Sequence, residues 1–212
     1  MKKITTFSIV MVLMMGLCMT SCLKGNNNDE QEKQWQEWVN EVNAEIRASI
    51  GSYDGKMYLC AANKEREDSV VANWGIASDS TMVLSAVPLS WLVKKMPENQ
   101  KALQTAIAER GTSDILVKTA YNYRFHSPLD IYIYPQPIKL NVDYEGQSHQ
   151  VEIHFYNTES NTNSRAQYLQ YSDKELVNLC LLSLSPESIY LDGQRQHVFQ
   201  MEYYIWWYGS KK

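Results

Sequence analysis

The chain is poor in residues that announce chemistry. It has four histidines and four cysteines in 212 residues, and two of the cysteines, Cys18 and Cys22, fall within the first two dozen positions. G-x-S-x-G, H-E-x-x-H and a glycine-rich phosphate loop are all missing, which removes the compact signatures of serine hydrolases, zinc proteases and nucleotide-binding enzymes. Beyond the N-terminus nothing approaches the ~18 uninterrupted apolar residues of a membrane-spanning helix. A basic excess is also lacking: 20 Lys and Arg stand against 24 Asp and Glu. Nucleic acid, which calls for a basic face, is therefore not an expected partner. With no internal repeat, the region after the leader reads as one domain with ample apolar and aromatic content for a core.

What is present begins at the N-terminus. A basic head, Met1-Lys2-Lys3, leads into an apolar run from Phe7 to Gly16 that is too short to span a bilayer and reads as a secretory signal. Met19-Thr20-Ser21-Cys22 resembles the bacterial lipobox, with a small residue directly before the cysteine. Cys22 is the expected lipidation site; Cys18 follows bulky Leu17 and falls in the discarded signal, residues 1–21. Acylation there anchors the mature chain to a membrane, since each buried CH₂ contributes about 0.8 kcal/mol and more than one acyl chain gives stable attachment. Residues 22–34, polar after the cysteine, read as a flexible tether. Removing Lys2 and Lys3 leaves 18 basic against 24 acidic side chains, a net charge of −6. After processing two cysteines remain, Cys60 and Cys180. Outside the cytoplasm a disulfide between them is permitted, and two small buried hydrophobes are the alternative.

The body, residues 35–212, opens on a helical stripe of Trp35, Trp38, Val39, Val42 and Ile46, stopped at Gly51. From Ser52 the period changes to two. Strands are expected over 52–59, 69–76, 81–87, 115–126, 129–134, 138–144, 149–155 and 188–191, and over a terminal run 197–208. Glu145-Gly146-Gln147 and Asp192-Gly193 mark hairpin turns. Pro97 to Gly111, with Leu103 and Ile107 on one face, reads as a helix, and Pro88 to Met96 as a shorter one. Ser172-Asp-Lys-Glu175 resembles a helix-capping box, but the apolar run to Leu182 suits a buried strand equally, and strand is the reading adopted. Residues 157–165 form a polar loop. The fold class is α+β and mainly antiparallel β, a sandwich or barrel, with an N-terminal helix packed on the sheet and a helical insertion near 88–110.

The chain also resembles a family of uncharacterised lipoproteins of similar length, domains of unknown function, from Bacteroides and its relatives. The resemblance rests on the lipobox at Met19 to Cys22, the opening strand Gly51-Ser-Tyr-Asp-Gly-Lys56, the Trp74 strand leading to Val87-Pro88-Leu89-Ser90, and Pro186-Glu-Ser-Ile-Tyr-Leu-Asp-Gly193 before an aromatic last strand. It implies a cell-envelope protein, lipid-anchored at the outer membrane, and it transfers no catalytic residue. Asp29 and Glu30 stand well behind Cys22, so which side of the envelope is occupied stays open.

Two features carry candidate chemistry. Glu152 and His154 share a strand face at two-residue spacing, a pair that supplies two of the three or four ligands a metal needs. No metal, no other cofactor and no catalytic residue are expected. The terminal run is richer. Period two places Phe199, Met201, Tyr203, Ile205 and Trp207 on one face as a core set, with Gln200, Glu202, Tyr204, Trp206 and Tyr208 on the other. Aromatic faces with polar tips stack on sugar rings, so Tyr204, Trp206 and Tyr208 are the candidate ligand-binding residues. The alternative is that the Trp35/Trp38 helix covers them. The leading expectation is a non-enzymatic, membrane-anchored binding module with a glycan or another envelope protein as partner. A glycan-binding accessory lipoprotein is the second reading, and an envelope hydrolase built on His154 and Glu152 the third.

Overall fold

The computed structural model describes residues 28–126, 128–172 and 176–212. Contacts divide the chain between Trp38 and Val39, within helix α1 (Asn28–Ser49). The described part of the first unit is the helical segment 28–38. It opens with Asp29 and Glu30, acids that favour the positive end of the helix dipole. The polar stretch expected to be a tether up to Gln34 is thus helical from Asn28.

The second unit is built on a closed, eight-stranded antiparallel barrel. Its strands are β1 (Gly51–Ala61), β2 (Arg66–Ile76), β3 (Thr81–Pro88), β4 (Thr112–His126), β5 (Leu129–Pro135), β8 (Arg165–Ser172), β9 (Leu176–Leu184) and β12 (Tyr203–Lys211). They close in the order β1-β12-β9-β8-β5-β4-β3-β2. A four-stranded sheet stands beside it, ordered β11 (Gln194–Val198), β10 (Pro186–Leu191), β7 (Gln147–Phe155), β6 (Ile138–Tyr144). The mainly antiparallel expectation holds, and barrel is chosen over sandwich.

Eight strands leave an interior that side chains just fill. Met57, Leu59, Trp74, Leu84, Ile131, Leu182, Ile205 and Trp207 are buried there. At one rung β1 and β12 approach through Gly55 and Gly209, which are register partners. A Cβ on Gly209 would collide with the Asp54 carbonyl and lie 2.5 Å from the Trp74 ring. The absent side chain is what lets Trp74 lie inside, stacked on Tyr53 with centroids 5.7 Å apart.

Both ends of the barrel are tied down. Where β1 begins and β12 ends, the Val39–Ser49 half of α1 is held: Tyr53 Oη donates to the Ser49 carbonyl at 2.5 Å and Lys211 Nζ to that of Ala48 at 2.7 Å. Val42 is fully buried in this segment. At the opposite end Tyr203 Oη donates to the Leu92 carbonyl at 2.6 Å, binding β12 to helix α2 (Leu89–Leu92). A 3₁₀ turn (Glu98–Gln100) then leads into α3 (Lys101–Ala108), whose Leu103 and Ile107 are buried as the stripe required.

Two expectations change and one open choice is decided. The terminal run is not one strand: residues up to Val198 belong to β11 in the small sheet, and β12 of the barrel begins at Tyr203. Between them the chain crosses over, and Met201 takes a left-handed φ of 52°. Met201 is accordingly 47 % exposed and leaves the core set, while Phe199, Tyr203, Ile205 and Trp207 stay buried. Strand β8 is absent from the expected strands, and its first residue, Arg165, falls in the expected polar loop. For the 172–182 run the adopted strand reading holds over strand β9, which has ladders on β8 and β12; Asp173, Lys174 and Glu175 of the capping-box pattern lie outside the described residues.

Candidate functional site

The outer wall of the barrel carries a groove of about 550 Å³ where β8, β9, β12, β1 and β2 pass side by side. Register explains its composition. Arg165 pairs with Ser183, Ser183 with Trp206, and Trp206 with Tyr58, so these four form one rung across four strands. The neighbouring rung carries Tyr204, Cys60 and Arg66. All but Tyr58 line the groove, and Gln167 and Leu181 extend its floor.

Two loops form the rim. The β1–β2 turn contributes Lys64, whose φ of 70° is unusual for a residue with a side chain. The 156–164 loop contributes Asn161 and Asn163. It is the polar loop read from sequence, but it is ordered by its own side chains: Asn157 Oδ1 accepts from the amides of Glu159 and Ser160, and Asn161 Oδ1 from that of Asn163. Thr158 Oγ1 fixes the loop to β5 by accepting from Ile133 N at 2.8 Å. Exposed Met201, the other lining residue in left-handed backbone, stands at the crossover.

Of the three sequence candidates, Tyr204 and Trp206 line this groove and Tyr208 does not. Tyr208 shares the face and packs on Trp206 with centroids 5.9 Å apart. The side chain seated over Trp206 is Arg66, its guanidinium 5.2 Å from that ring and 4.4 Å from the ring of Tyr58. Tyr58 and Trp206 are themselves 5.6 Å apart. Burial pushes the Tyr204 phenol above its ordinary range, and neighbouring Cys60 adds to this, so Tyr204 stays a neutral donor at physiological pH.

Cys60 and Cys180 are free thiols and not a bridge. The physical reason is the barrel wall. Cys60 sits on the outer-face rung with Tyr204, whereas Cys180 pairs with Gly209 and Tyr168 among inward residues. Burial raises both, pushing Cys180 up to about 12, the reverse of an activated nucleophile.

His154 and Glu152 do meet, Nε2 to Oε2 at 3.2 Å, but on β7 of the small sheet, and neither lines the groove. Lys139 Nζ also reaches Glu152 at 2.8 Å, and the hydrogen bonds from Lys139 and then His154 hold its carboxyl below the usual range. Cys22 lies outside the described residues. Sequence reasoning missed Lys64, Arg66, Asn161, Asn163 and Arg165. The Asn-rich loop was their one visible signal, since Asn and Ser order backbone by Asx-type bonds.

A family model, the domain of unknown function DUF4840, matches residues 48–185. The match runs through β1–β9 and stops short of β12, the strand that closes the barrel between β1 and β9. No curated protein and no solved structure matches this chain.

Proposed function

The chain belongs to the DUF4840 family, whose function is unknown, and we propose that it is a lipid-anchored cell-envelope protein that binds a saccharide in the groove on its barrel wall. The observation that carries the reading is the composition of that groove. Trp206 and Tyr204 offer aromatic faces, and Asn161, Asn163, Gln167, Ser183 and Ser185 surround them with amides and hydroxyls. Sugar rings present the matching surface, apolar C–H faces edged by hydroxyls, and sites of this kind combine an apolar platform with a few placed polar groups. The barrel interior is filled by core side chains, so the outer wall is where the fold has room to vary its chemistry. Lipid anchoring is read from the lipobox ending in Cys22, and the resemblance to Bacteroides lipoproteins supports an envelope location.

The test uses the full-length chain in detergent. Intrinsic fluorescence is titrated with host and dietary oligosaccharides beside a Trp206→Ala variant. Saturable quenching that the variant loses, at unchanged melting temperature, supports the reading. Equal quenching in both proteins would place the ligand elsewhere, and silence across the panel would send the search to protein partners.

A further inference from the structure

The groove is basic in an acidic protein. Lys64, Arg66 and Arg165 line it and no carboxylate does, although the chain carries 24 acids to 20 bases. None of these cations has an ion-pair partner among the described residues. The acids beside Arg66 in sequence are engaged elsewhere. Glu67 is paired with Lys94 at 2.7 Å, Asp68 accepts from the Trp91 indole at 3.2 Å, and Glu65 is tied to Asn63. From these observations we propose that the groove selects an anionic saccharide, one bearing carboxylate or sulfate groups on rings either side of the ring that stacks on Trp206. This inference rests on the saccharide reading above.

The geometry supplies the reason. Arg66 is on β2 and Arg165 on β8, with β1, β12 and β9 between them. At ~4.8 Å per strand their backbones are roughly 19 Å apart along the wall, with Trp206 between them, and Arg66 leans inward until its guanidinium is 5.2 Å from the Trp206 ring. An oligosaccharide with successive acid groups reaches both sides of the indole, which one small anion seated at Arg66 does not. Arg66 is also prepared for the task. Its guanidinium carbon is 4.4 Å from the centroid of Tyr58 and 5.2 Å from that of Trp206. A guanidinium held over aromatic rings still has N–H donors to offer a carboxylate or a sulfate, and it loses less freedom on binding than a free side chain. Burial on the neighbouring rung keeps Tyr204 protonated as a donor, so it adds no competing negative charge.

Matched pairs test charge separately from sugar. Binding of oligogalacturonate is compared with its methyl ester, and of dextran sulfate with dextran, by calorimetry on the full-length chain, with inorganic sulfate as the sugar-free control. The expected result is that the charged member of at least one pair binds about tenfold or more tightly, a difference of about 1.4 kcal/mol, and which pair responds tells uronate from sulfate ester. Arg165→Gln and Lys64→Gln should each remove much of that preference at unchanged melting temperature; both positions are exposed, so either variant serves if the other fails to fold. Equal binding within both pairs, insensitive to the substitutions, overturns the charge inference and leaves the saccharide reading standing. Binding of inorganic sulfate as tight as that of the polymers overturns it as simple ion capture. No binding by any saccharide overturns both.

Discussion

Substituting Gly209 by alanine tests whether close strand approach at one rung controls closure of the barrel. The new Cβ would meet the Asp54 carbonyl group of β1 and the Trp74 ring at 2.5 Å. Neither can give way cheaply. The carbonyl belongs to the β1 backbone at the Gly55–Gly209 rung, and Trp74 is buried and stacked on Tyr53. Overpacking of cores costs about 1–3 kcal/mol, and backbone collision argues for the upper figure. For a body of this size 1 kcal/mol moves Tm by about 2–4 °C, so a fall of about 6–12 °C is expected. Gly75, one strand further round on β2, is the control: an added Cβ there meets only the Gly51 carbonyl oxygen, at an ordinary 3.6 Å. Alanine in its place relieves the entropic cost of a strand glycine, a gain of about 0.5–1 kcal/mol. Thermal unfolding followed by circular dichroism reads both. A Gly209→Ala protein melting within about 2 °C of the parent would refute the argument.

Two further predictions concern the small sheet and the anchor. Asp192, at the β10–β11 turn, accepts from Gln150 N at 2.9 Å and meets His149 Nδ1 at 2.6 Å, contacts that hold its carboxyl below the usual 3.8. A folded-state value below the unfolded one means that this contribution is present above about pH 3.8 and is lost as pH falls through the lowered value; Asp192→Asn should therefore flatten the acid limb of a plot of Tm against pH, and an unchanged limb would remove the pair from the account. For the anchor, replacing Cys22 by serine should move the protein out of the membrane fraction and abolish acyl labelling, and labelling that persists in the variant would place the lipid on another residue.

The parts of the fold that were legible are those where one face is buried and a turn is chemically marked. The β6–β7 hairpin alternates cleanly, and its turn carries Glu145 at φ 51° and Gly146 at φ 80°, the left-handed pair that a tight hairpin requires. Asp192-Gly193 repeats the device at 49° and 77°. Strand β8 escaped because its alternation is short: Arg165, Ala166, Gln167 and Tyr168 alternate polar and apolar, but apolar Leu169 on the outward phase and exposed Gln170 on the inward one break the pattern. The break at 199–202 escaped for a different reason. The residue that bends there is Met201, with neither glycine nor proline to mark it.

The candidate site was half legible for a related reason. Its aromatic side lies on one strand, where period two suffices to place Tyr204 and Trp206 together. Its cationic side comes from Lys64, Arg66 and Arg165, about a hundred residues apart at the extremes and joined only through pairings of β8, β9, β12, β1 and β2. Alternation assigns faces and leaves neighbours undetermined, so no reading of one strand could assemble it.

The adjacent tryptophans of β12 separate what the fold needs from what it does not. Trp207 is fully buried, and truncating such a side chain costs about 3–5 kcal/mol. Trp206, one residue earlier, points to the other face, where closure of the barrel asks nothing of it. Its structural contribution there is the cross-strand pair with Tyr58 and the contacts with Tyr208 and Arg66, and cross-strand pairs contribute about 0.2–1 kcal/mol. Threonine or a β-branched residue would supply much of that with less apolar surface facing water. A large indole in that position, beside a guanidinium and near the amides of the groove, is what the proposed saccharide site calls for.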